Sequence, residues 1–260
     1  MTRKWICLLL VLALALLGGC AKKAEPENTL DFGEGAAASA VPGQAQPETG
    51  GEQPQTNTEQ PLKSGTGKYE LAGSVCYAFP GMLYGAVAYT NTDSTAITLT
   101  EASFTFTYAG GSQQSTFQPV TAGYEAVQPG ETAWCTLWLP VDDTAGAIEN
   151  PALTAQLSAA RTDKQQQSLG VSEARLIQNY PGFATLSGRL SNPGTQVCDL
   201  NLVYAGFYDK DGVFLGAWHF TRNAVLQPGD GAAFVVHLQS LPIEGLSERT
   251  AQMRFRAFGI

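Results

Sequence analysis

The stretch "FPGMLYGAVAYTN" (residues 79–91) is followed 101 positions later by a similar one, "YPGFATLSGRLSN" (residues 180–192). Each has an aromatic residue, then Pro-Gly, then an interval of ten residues from that glycine to an asparagine. Proline pre-sets φ and glycine accepts a positive φ, so Pro-Gly predicts a type II turn. Asn91 and Asn192 are placed where a strand gives way to a polar turn. The repeat therefore predicts a duplicated unit of strands and turns.

Two further matches occur in the same order along the chain. "VQPGE" (residues 127–131) corresponds to "LQPGD" (residues 226–230), and "TAQL" (residues 154–157) corresponds to "TAQM" (residues 250–253). The Pro-Gly pair in each copy of the first match should begin the turn into a late core strand. Self-similarity near 100 residues predicts tandem domains rather than a solenoid of short repeats.

The chain beyond residue 67 is rich in Thr, Val, Ala, Tyr and Phe, with Pro-Gly and Asn between short apolar runs. No long stretch has the 3.6-residue period of a helix. This composition predicts an all-β protein with two tandem Ig-like antiparallel β-sandwiches. We place the first sandwich at residues 68–163 and the second at residues 168–260.

The alignment of the two copies also assigns faces to a late strand in each. Alternate residues of a strand point to the same side of its sheet. The residues that should point inward in both copies are Cys135, Leu137 and Leu139, which align with Phe234, Val236 and Leu238.

Three cysteines lie within the sandwiches. Cys198 aligns with Ile97, and Cys76 aligns with Ile177, which predicts that these thiols take core positions as small apolar groups. A disulfide between Cys76 and Cys135 is the alternative, since an oxidising compartment would allow it. Buried free thiols are the favoured interpretation, because Cys198 would be left without a partner.

Trp134 and Trp138 alternate with the inward set, so both should face outward, about 13 Å apart at ~3.3 Å per residue. Two exposed indoles on one sheet could stack sugar rings or clamp a partner, which makes them the candidate binding residues. The favoured alternative is that they pack against the second sandwich or under a long loop.

The N-terminus carries the features of an export signal. Arg3 and Lys4 precede an almost unbroken apolar run at residues 6–17, which suits the h-region of a signal peptide covering residues 1–19. Leu17-Gly18-Gly19-Cys20 resembles the lipobox of bacterial lipoproteins. The resemblance implies that Cys20 is acylated, becomes the mature N-terminus and anchors the protein in membrane lipid outside the cytoplasm.

Residues 20–67 follow as a predicted disordered linker. From about Ala24 the segment consists mainly of Glu, Pro, Gln, Thr, Gly and Ala. Such a composition buries too little apolar surface to offset the entropy of ordering. We expect a tether that holds the folded part away from the membrane.

"AGFYDKDGVFLGAW" (residues 205–218), followed about ten residues later by Gln227-Pro228-Gly229, resembles the FxLYD domain. Phe207-Tyr208-Asp209 matches the end of that motif, whereas Ala205 stands where the motif has Phe. The first copy keeps only Phe104-Thr105-Phe106. The resemblance implies a small β-sandwich of exported bacterial proteins, often lipoproteins, to which no activity is assigned.

Charge and motifs argue against several classes of function. The net charge of −8 and the absence of a basic patch do not suit nucleic-acid binding. Residues 209–212 (Asp-Lys-Asp-Gly) favour a hairpin turn over a calcium loop, since no bidentate acid follows. His219 and His237 lack companion ligands at zinc-binding spacing. We expect no metal, no cofactor and no catalytic residues.

The leading hypothesis is a non-catalytic surface lipoprotein that recognises an envelope protein or a cell-wall glycan. A structural accessory subunit of a membrane complex is the first alternative. A cell-wall-modifying enzyme, with Glu125 or Glu131 as general acid–base group, is the second. It would need two carboxylates about 5–10 Å apart in a concave site.

Overall fold

The computed structural model describes residues 66–109, 111–122, 124–141, 148–180, 183–239 and 241–259. The predicted signal peptide, Cys20 and nearly all of the predicted linker lie outside the described residues. The described residues fall within one compact unit, residues 58–260. No helix among them has the length and apolar character needed to cross a bilayer.

The described part of the chain is built from antiparallel strands and one short helix, α1 (Leu246–Arg249), which confirms the all-β prediction. The strands, in chain order, are β1 (Tyr69–Phe79), β2 (Met82–Asn91), β3 (Ile97–Tyr108), β4 (Gly111–Phe117), β5 (Thr132–Pro140), β6 (Ala152–Arg161), β7 (Gln167–Ser168), β8 (Gly170–Tyr180), β9 (Phe183–Ser191), β10 (Cys198–Tyr208), β11 (Phe214–Leu226), β12 (Gly231–Gln239) and β13 (Gln252–Gly259).

The two halves of this region repeat one another strand for strand. The first half has sheets in the order β1-β2-β5 and β4-β3-β6. The second has β8-β9-β12 and β11-β10-β13, with the short β7 added at the edge of the latter sheet. The strand order thus reproduces the duplication that the sequence predicts.

The repeated asparagines are structural clamps. The Asn91 amide donates to the carbonyls of Thr95 and Val127, both at 2.8 Å, and its oxygen accepts from the Asp93 N–H at 2.7 Å. Asn192 makes the same three bonds. Its partners are the carbonyls of Gln196 and Leu226, at 2.7 and 3.0 Å, and the N–H of Gly194, at 3.0 Å.

The Pro-Gly turns have the predicted backbone. Gly81, Gly130 and Gly229 all have positive φ, at 75°, 79° and 85°. The N–H groups of Gly130 and Gly229 donate to the carbonyls of Asn91 and Asn192 respectively, so each late turn is tied to the asparagine clamp of its own half. Pro181 and Gly182 lie outside the described residues.

The third sequence match is wrong by four positions. Thr154 pairs with Thr105, whereas Gly206, 101 positions after Thr105, pairs with Arg254. Arg254, and not Thr250, therefore occupies the place of Thr154. Thr250 instead follows the last residue of α1, and its hydroxyl donates to the carbonyl of Leu246, the first residue of that helix, at 2.7 Å.

The inward set of the late strands is confirmed. Cys135 is buried in the core of the first half, and Phe234 and Leu238 are buried in that of the second, with the remaining members of the set packed against these cores. One alignment fails as a guide to burial. Cys76 is half-buried, but Ile177, which was aligned with it, is 55% exposed.

Strand β2 is buried on both faces. Leu83, Val87 and Tyr89 belong to the core of the first half. The residues that alternate with them, Tyr84, Ala86 and Ala88, belong to a second core, which also includes the buried residues of the second half. The outer face of the sheet β1-β2-β5 is therefore packed against the second half.

Candidate functional site

The two tryptophans lie at this junction between the halves. Both point away from the core of their own half, as predicted, but Trp134 is only 3% exposed. Its Nε1 donates to the Tyr208 hydroxyl at 3.0 Å. The ring of Trp138 meets that of Trp218 edge-on, with 5.2 Å between centroids. The surface that an exposed binding pair needs is covered by β10 and β11, and packing against the second half is the arrangement found.

A glycine allows the two sheets to approach this closely. A Cβ added at Gly206, on β10, would overlap the indole ring of Trp134. Any larger residue at position 206 would push β10 away from β5, because the ring has no free space to move into among close-packed neighbours.

Two tyrosine hydroxyls join the first half to the backbone of β11. The Tyr84 hydroxyl donates to the Ala217 carbonyl at 2.6 Å and accepts from the Ala217 N–H at 2.9 Å. The Tyr77 hydroxyl donates to the Leu215 carbonyl at 3.0 Å. Since β11 is the edge strand of its sheet, these bonds satisfy backbone groups that an edge leaves open. Burial raises the pKa of Tyr84, which keeps the hydroxyl protonated as the donor.

The junction also holds a cluster of charges centred on Arg256 of β13. Its guanidinium forms an ion pair with Glu125 and donates to the Glu131 carboxylate at 3.3 Å and to the Ala126 carbonyl at 3.0 Å. The Thr121 hydroxyl donates to the other oxygen of Glu125 at 2.7 Å. The side chain of Glu125 is 2% exposed, so the pair is almost fully removed from water.

Tyr204 extends this network across the junction. Its hydroxyl donates to that of Thr121 at 3.2 Å, and Thr121 in turn donates to Glu125. The chain of donors ends on the carboxylate, which is the order that stabilises a buried anion. Desolvation lowers the pKa of Arg256 from its usual value.

The two acids considered as general acid–base groups are thus both bound to one arginine. Glu125 accepts from Arg256 and Thr121, and Glu131 accepts from Arg256 and from the Gln128 N–H at 2.9 Å. A carboxylate held in this way fixes the loop before β5 against β13.

Two adjoining grooves open beside this cluster. The first, here called the rim groove, has a volume of about 320 Å³. It is lined by Tyr124, Lys164, Gln165, Gln166, Gln167, Gln196, Val197, Cys198 and Gly259. The second, the arginine groove, has a volume of about 190 Å³, and its lining includes Gln128, Glu131 and Arg256. Gln166 lines both grooves, so they meet at this side chain.

The rim groove combines an aromatic ring with amides. Tyr124 is 58% exposed. Its N–H donates to the Thr121 carbonyl at 2.8 Å, and its own carbonyl accepts from the Gln166 side chain. The loop that carries the ring is therefore tied on one side to the charge cluster and on the other to the segment that joins the two halves.

The histidines lie on different strands, β11 and β12. His219 is partly buried at the junction, with Nδ1 3.3 Å from the Thr136 hydroxyl, and burial lowers its pKa. His237 is exposed, with Nδ1 3.2 Å from the Thr185 hydroxyl. Within the described ranges no group of three His, Cys, Asp or Glu is placed to hold a metal ion.

The acidic turn at residues 209–212 is a hairpin turn, as predicted, between β10 and β11. The Asp209 carboxylate accepts from the N–H groups of Asp211 and Val213, at 2.9 and 2.8 Å. Gly212 has a φ of 77°. The carboxylate that a calcium loop would use is engaged with the backbone of its own turn.

Cys76, Cys135 and Cys198 are free thiols. Cys76 pairs with Gly85 on one side of β2, and Cys135 pairs with Val87 on the other. The intervening strand separates them, which rules out the alternative of a disulfide in this structure. Burial raises the pKa of Cys76 to about 11 and that of Cys135 to about 12.

Arg256, Thr121 and Tyr124 are functional candidates that the sequence alone does not single out. One signal for Arg256 is present in the strand "QMRFRAFG", where an arginine stands between Phe255 and Ala257. A cation in so apolar a strand needs a buried carboxylate partner. Nothing in the sequence identifies Glu125 as that partner, because it lies 131 positions away.

Comparisons with known proteins add little to this site. No family model matches the chain, and no curated protein matches it. A red sea bream transglutaminase is similar over 66% of this chain and 27% of its own, at 10% identity and a TM-score of 0.21. A Bacteroides uniformis β-glucuronidase is similar over 61% of this chain and 22% of its own, at 12% identity and a TM-score of 0.19. The chain thus spans about a quarter of the length of these proteins, and scores this low support neither a relationship nor an activity.

Proposed function

We propose that the chain is a lipid-anchored, non-catalytic binding protein of the bacterial cell envelope. In this proposal Cys20 carries the acyl chains, residues 20–67 form the tether, and the β-sandwich region holds an envelope protein or a cell-wall glycan. The N-terminal resemblance to a lipobox supports the anchor. The resemblance of residues 205–218 to the FxLYD domain of exported proteins supports the location.

The observation that carries the binding role is the rim groove. It presents an exposed aromatic ring and several amides on a loop that the charge cluster and Gln166 hold in place. Small ligands bind in concave sites whose polar groups fix their orientation. Rigidity of the loop lowers the entropy lost on binding.

Anchorage is tested by labelling cells that express the full-length protein with a palmitate analogue. Wild type and Cys7→Ser should incorporate the label, and Cys20→Ser should not. Cys7 is the matched control, since it lies in the predicted signal peptide. Label retained by Cys20→Ser, or no label on wild type, contradicts the proposed anchor.

Binding is tested with the full-length protein in detergent and two fractions from cells that lack it, isolated cell walls and solubilised membranes. We expect saturable retention on walls or a defined complex with an envelope protein. Retention on neither fraction contradicts the binding role, and so does turnover of wall fragments by the purified protein.

A further inference from the structure

We propose that the rim groove binds a neutral, hexose-based oligosaccharide, with the Tyr124 ring as the surface on which a sugar ring stacks. This assignment rests on the proposed function and names its ligand class and its site. It moves the recognition of glycan from the two tryptophans to a tyrosine in the loop before β5.

The Tyr124 ring has the exposure and the support that stacking requires. It is 58% exposed, while the backbone on either side is held by the bonds to Thr121 and Gln166. The Lys164 ammonium lies over one face of the ring, 5.5 Å from its centroid, which restrains the ring and leaves the opposite face for the sugar. The C–H face of a pyranose is apolar and packs on an aromatic face, as other apolar groups do.

The amides provide the polar contacts that a sugar needs. Gln165 and Gln196 are both exposed in the groove, and Gln167 donates to the Ser168 carbonyl at 3.2 Å through its nitrogen. A glutamine side chain offers donors and acceptors together. A sugar hydroxyl also offers both, so a row of amides can form hydrogen bonds with a row of hydroxyls. The ligand needs no charge for these bonds.

The charge and size of the groove favour this ligand over others. Lys164 is the single charged residue of its lining in the described part of the chain, and one cation is too few to hold the phosphates of a nucleotide or the carboxylates of an acidic peptide. Val197, at 48% exposure, and Tyr124 are its exposed apolar side chains, too few for the apolar centre of a protein interface. A volume of about 320 Å³ lies at the lower end of small-ligand sites.

The adjoining arginine groove makes room for more than one ring. Gln166 lines both grooves, and Gln128 adds an amide to the second. A chain of sugars that stacks on Tyr124 would therefore continue past Gln166 towards Glu131 and Arg256. An oligosaccharide should bind more tightly than a monosaccharide for this reason.

The test is isothermal titration calorimetry of the full-length protein in detergent with chitotetraose and, separately, maltotetraose. We expect saturable binding of at least one of them, and weaker binding of its monosaccharide. Tyr124→Ala should lower the affinity at least about tenfold, and Tyr124→Phe, which keeps the ring, should stay within about threefold of wild type.

Matched glutamine variants localise the site. Gln196→Ala should lower the affinity several-fold. Gln114→Ala, which removes an exposed amide of β4 that does not line the groove, should not change it. Unfolding midpoints of all variants should equal that of wild type, which shows that affinity changes do not arise from unfolding.

Four results would overturn the assignment. If Tyr124→Ala binds the sugar as wild type does, the glycan site lies elsewhere. If neither sugar binds while envelope fractions still retain the protein, the glycan assignment fails and the proposed function stands. If an envelope protein is bound and Tyr124→Ala abolishes that complex, the groove is a protein site. If neither the walls nor the solubilised membranes retain the protein, both proposals fail.

Discussion

Arg256 is the residue on which the charges of the junction converge, and its removal would leave Glu125 buried without a counter-ion. We expect Arg256→Met to lower the free energy of unfolding by about 3–5 kcal/mol, as for other broken buried pairs. Urea denaturation followed by circular dichroism measures this loss. Arg254→Met is the matched control, since Arg254 is an exposed arginine on the same strand that lies 4.3 Å over the Tyr208 ring. Its loss should stay below about 1 kcal/mol; equal losses would contradict a structural role for the ion pair.

Two thiols, the buried Cys135 and the half-buried Cys76, should make the free energy of unfolding vary with pH in the alkaline range. The pKa of Cys135 is raised by burial from 9.0 to about 12, and that of Cys76 to about 11. The folded state thus keeps these protons at pH values where the unfolded state has lost them. Stability should be complete below pH 9 and fall as the pH rises from 9 towards 12. Denaturation midpoints between pH 7 and 10.5 measure the fall, which Cys135→Ala should reduce; an unchanged slope in that variant would show that other groups dominate.

Chemical reactivity tests the burial of the two most buried thiols, Cys135 and Cys198. At pH 8 we expect iodoacetamide to modify Cys135 and Cys198 only after denaturant is added, because a buried, protonated thiol is a poor nucleophile. Peptide mass spectrometry assigns the modification to each cysteine. A disulfide-linked peptide joining Cys76 and Cys135 would contradict the structure.

At the scale of elements, the asparagine clamps explain why the same residue closes the second strand of each half. Asn91 and Asn192 each satisfy one carbonyl and one N–H of the loop that follows them, and each also binds a carbonyl of a distant segment, that of Val127 or of Leu226. Asn91→Ala and Asn192→Ala should each lower the free energy of unfolding by about 1–3 kcal/mol, because buried carbonyls lose their donors. Asn179→Ala, which removes an exposed bond to Thr185, should stay within about 0.5 kcal/mol.

Hydrogen exchange distinguishes a local clamp from a general loss of stability. Asn91→Ala should speed exchange most in residues 92–97, and Asn192→Ala should do so in residues 193–198. Exchange that rises evenly over both halves in either variant would contradict the assignment of each clamp to its own loop.

Turns and faces were predictable at this scale because they depend on short-range chemistry. Pro-Gly fixed the positive φ of Gly130 and Gly229, and the two-residue period placed Cys135 and Phe234 inward. The match of residues 154–157 to 250–253 failed because the three shared residues, Thr-Ala-Gln, are common and recur without sharing a place in a sheet. Ile177 failed as a core position because the end of β8 is exposed, which its composition does not reveal.

At the scale of the whole molecule, the sheets follow one another as β4-β3-β6, β1-β2-β5, β11-β10-β13 and β8-β9-β12, with the middle two packed face to face. Alternation along β5 predicted that Trp134 leaves its own core. It could not predict which surface covers the ring, because the contacts with Tyr208 and Gly206 join positions more than 70 residues apart. The candidate site was hidden from the sequence for the same reason, since it exists only where the two halves meet.

A shared core predicts that the two halves unfold together. The three tryptophans of the described residues, Trp134, Trp138 and Trp218, all lie at the junction, so their fluorescence reports on the junction, whereas far-ultraviolet circular dichroism reports on every strand. We expect the two signals to change at the same urea concentration in wild type, as in a two-state transition. Trp134→Ala removes a buried ring that contacts Tyr208 and Gly206 of β10, and it should lower the free energy of unfolding by about 3–5 kcal/mol. The remaining tryptophans should then report opening of the junction at lower urea than the loss of strands.

Leu157→Ala is the control for this separation, because Leu157 is buried in the core of the first half alone. Leu157→Ala should also lower the urea midpoint, because it too removes buried contacts. The fluorescence and circular dichroism signals should still change together, since the junction keeps its contacts and continues to couple the halves. Two resolved transitions in wild type would mean that each half is stable by itself. The duplicated sandwiches would then be independent domains, and the loop that carries Tyr124 would owe its rigidity to the first half and not to the charge cluster at Arg256.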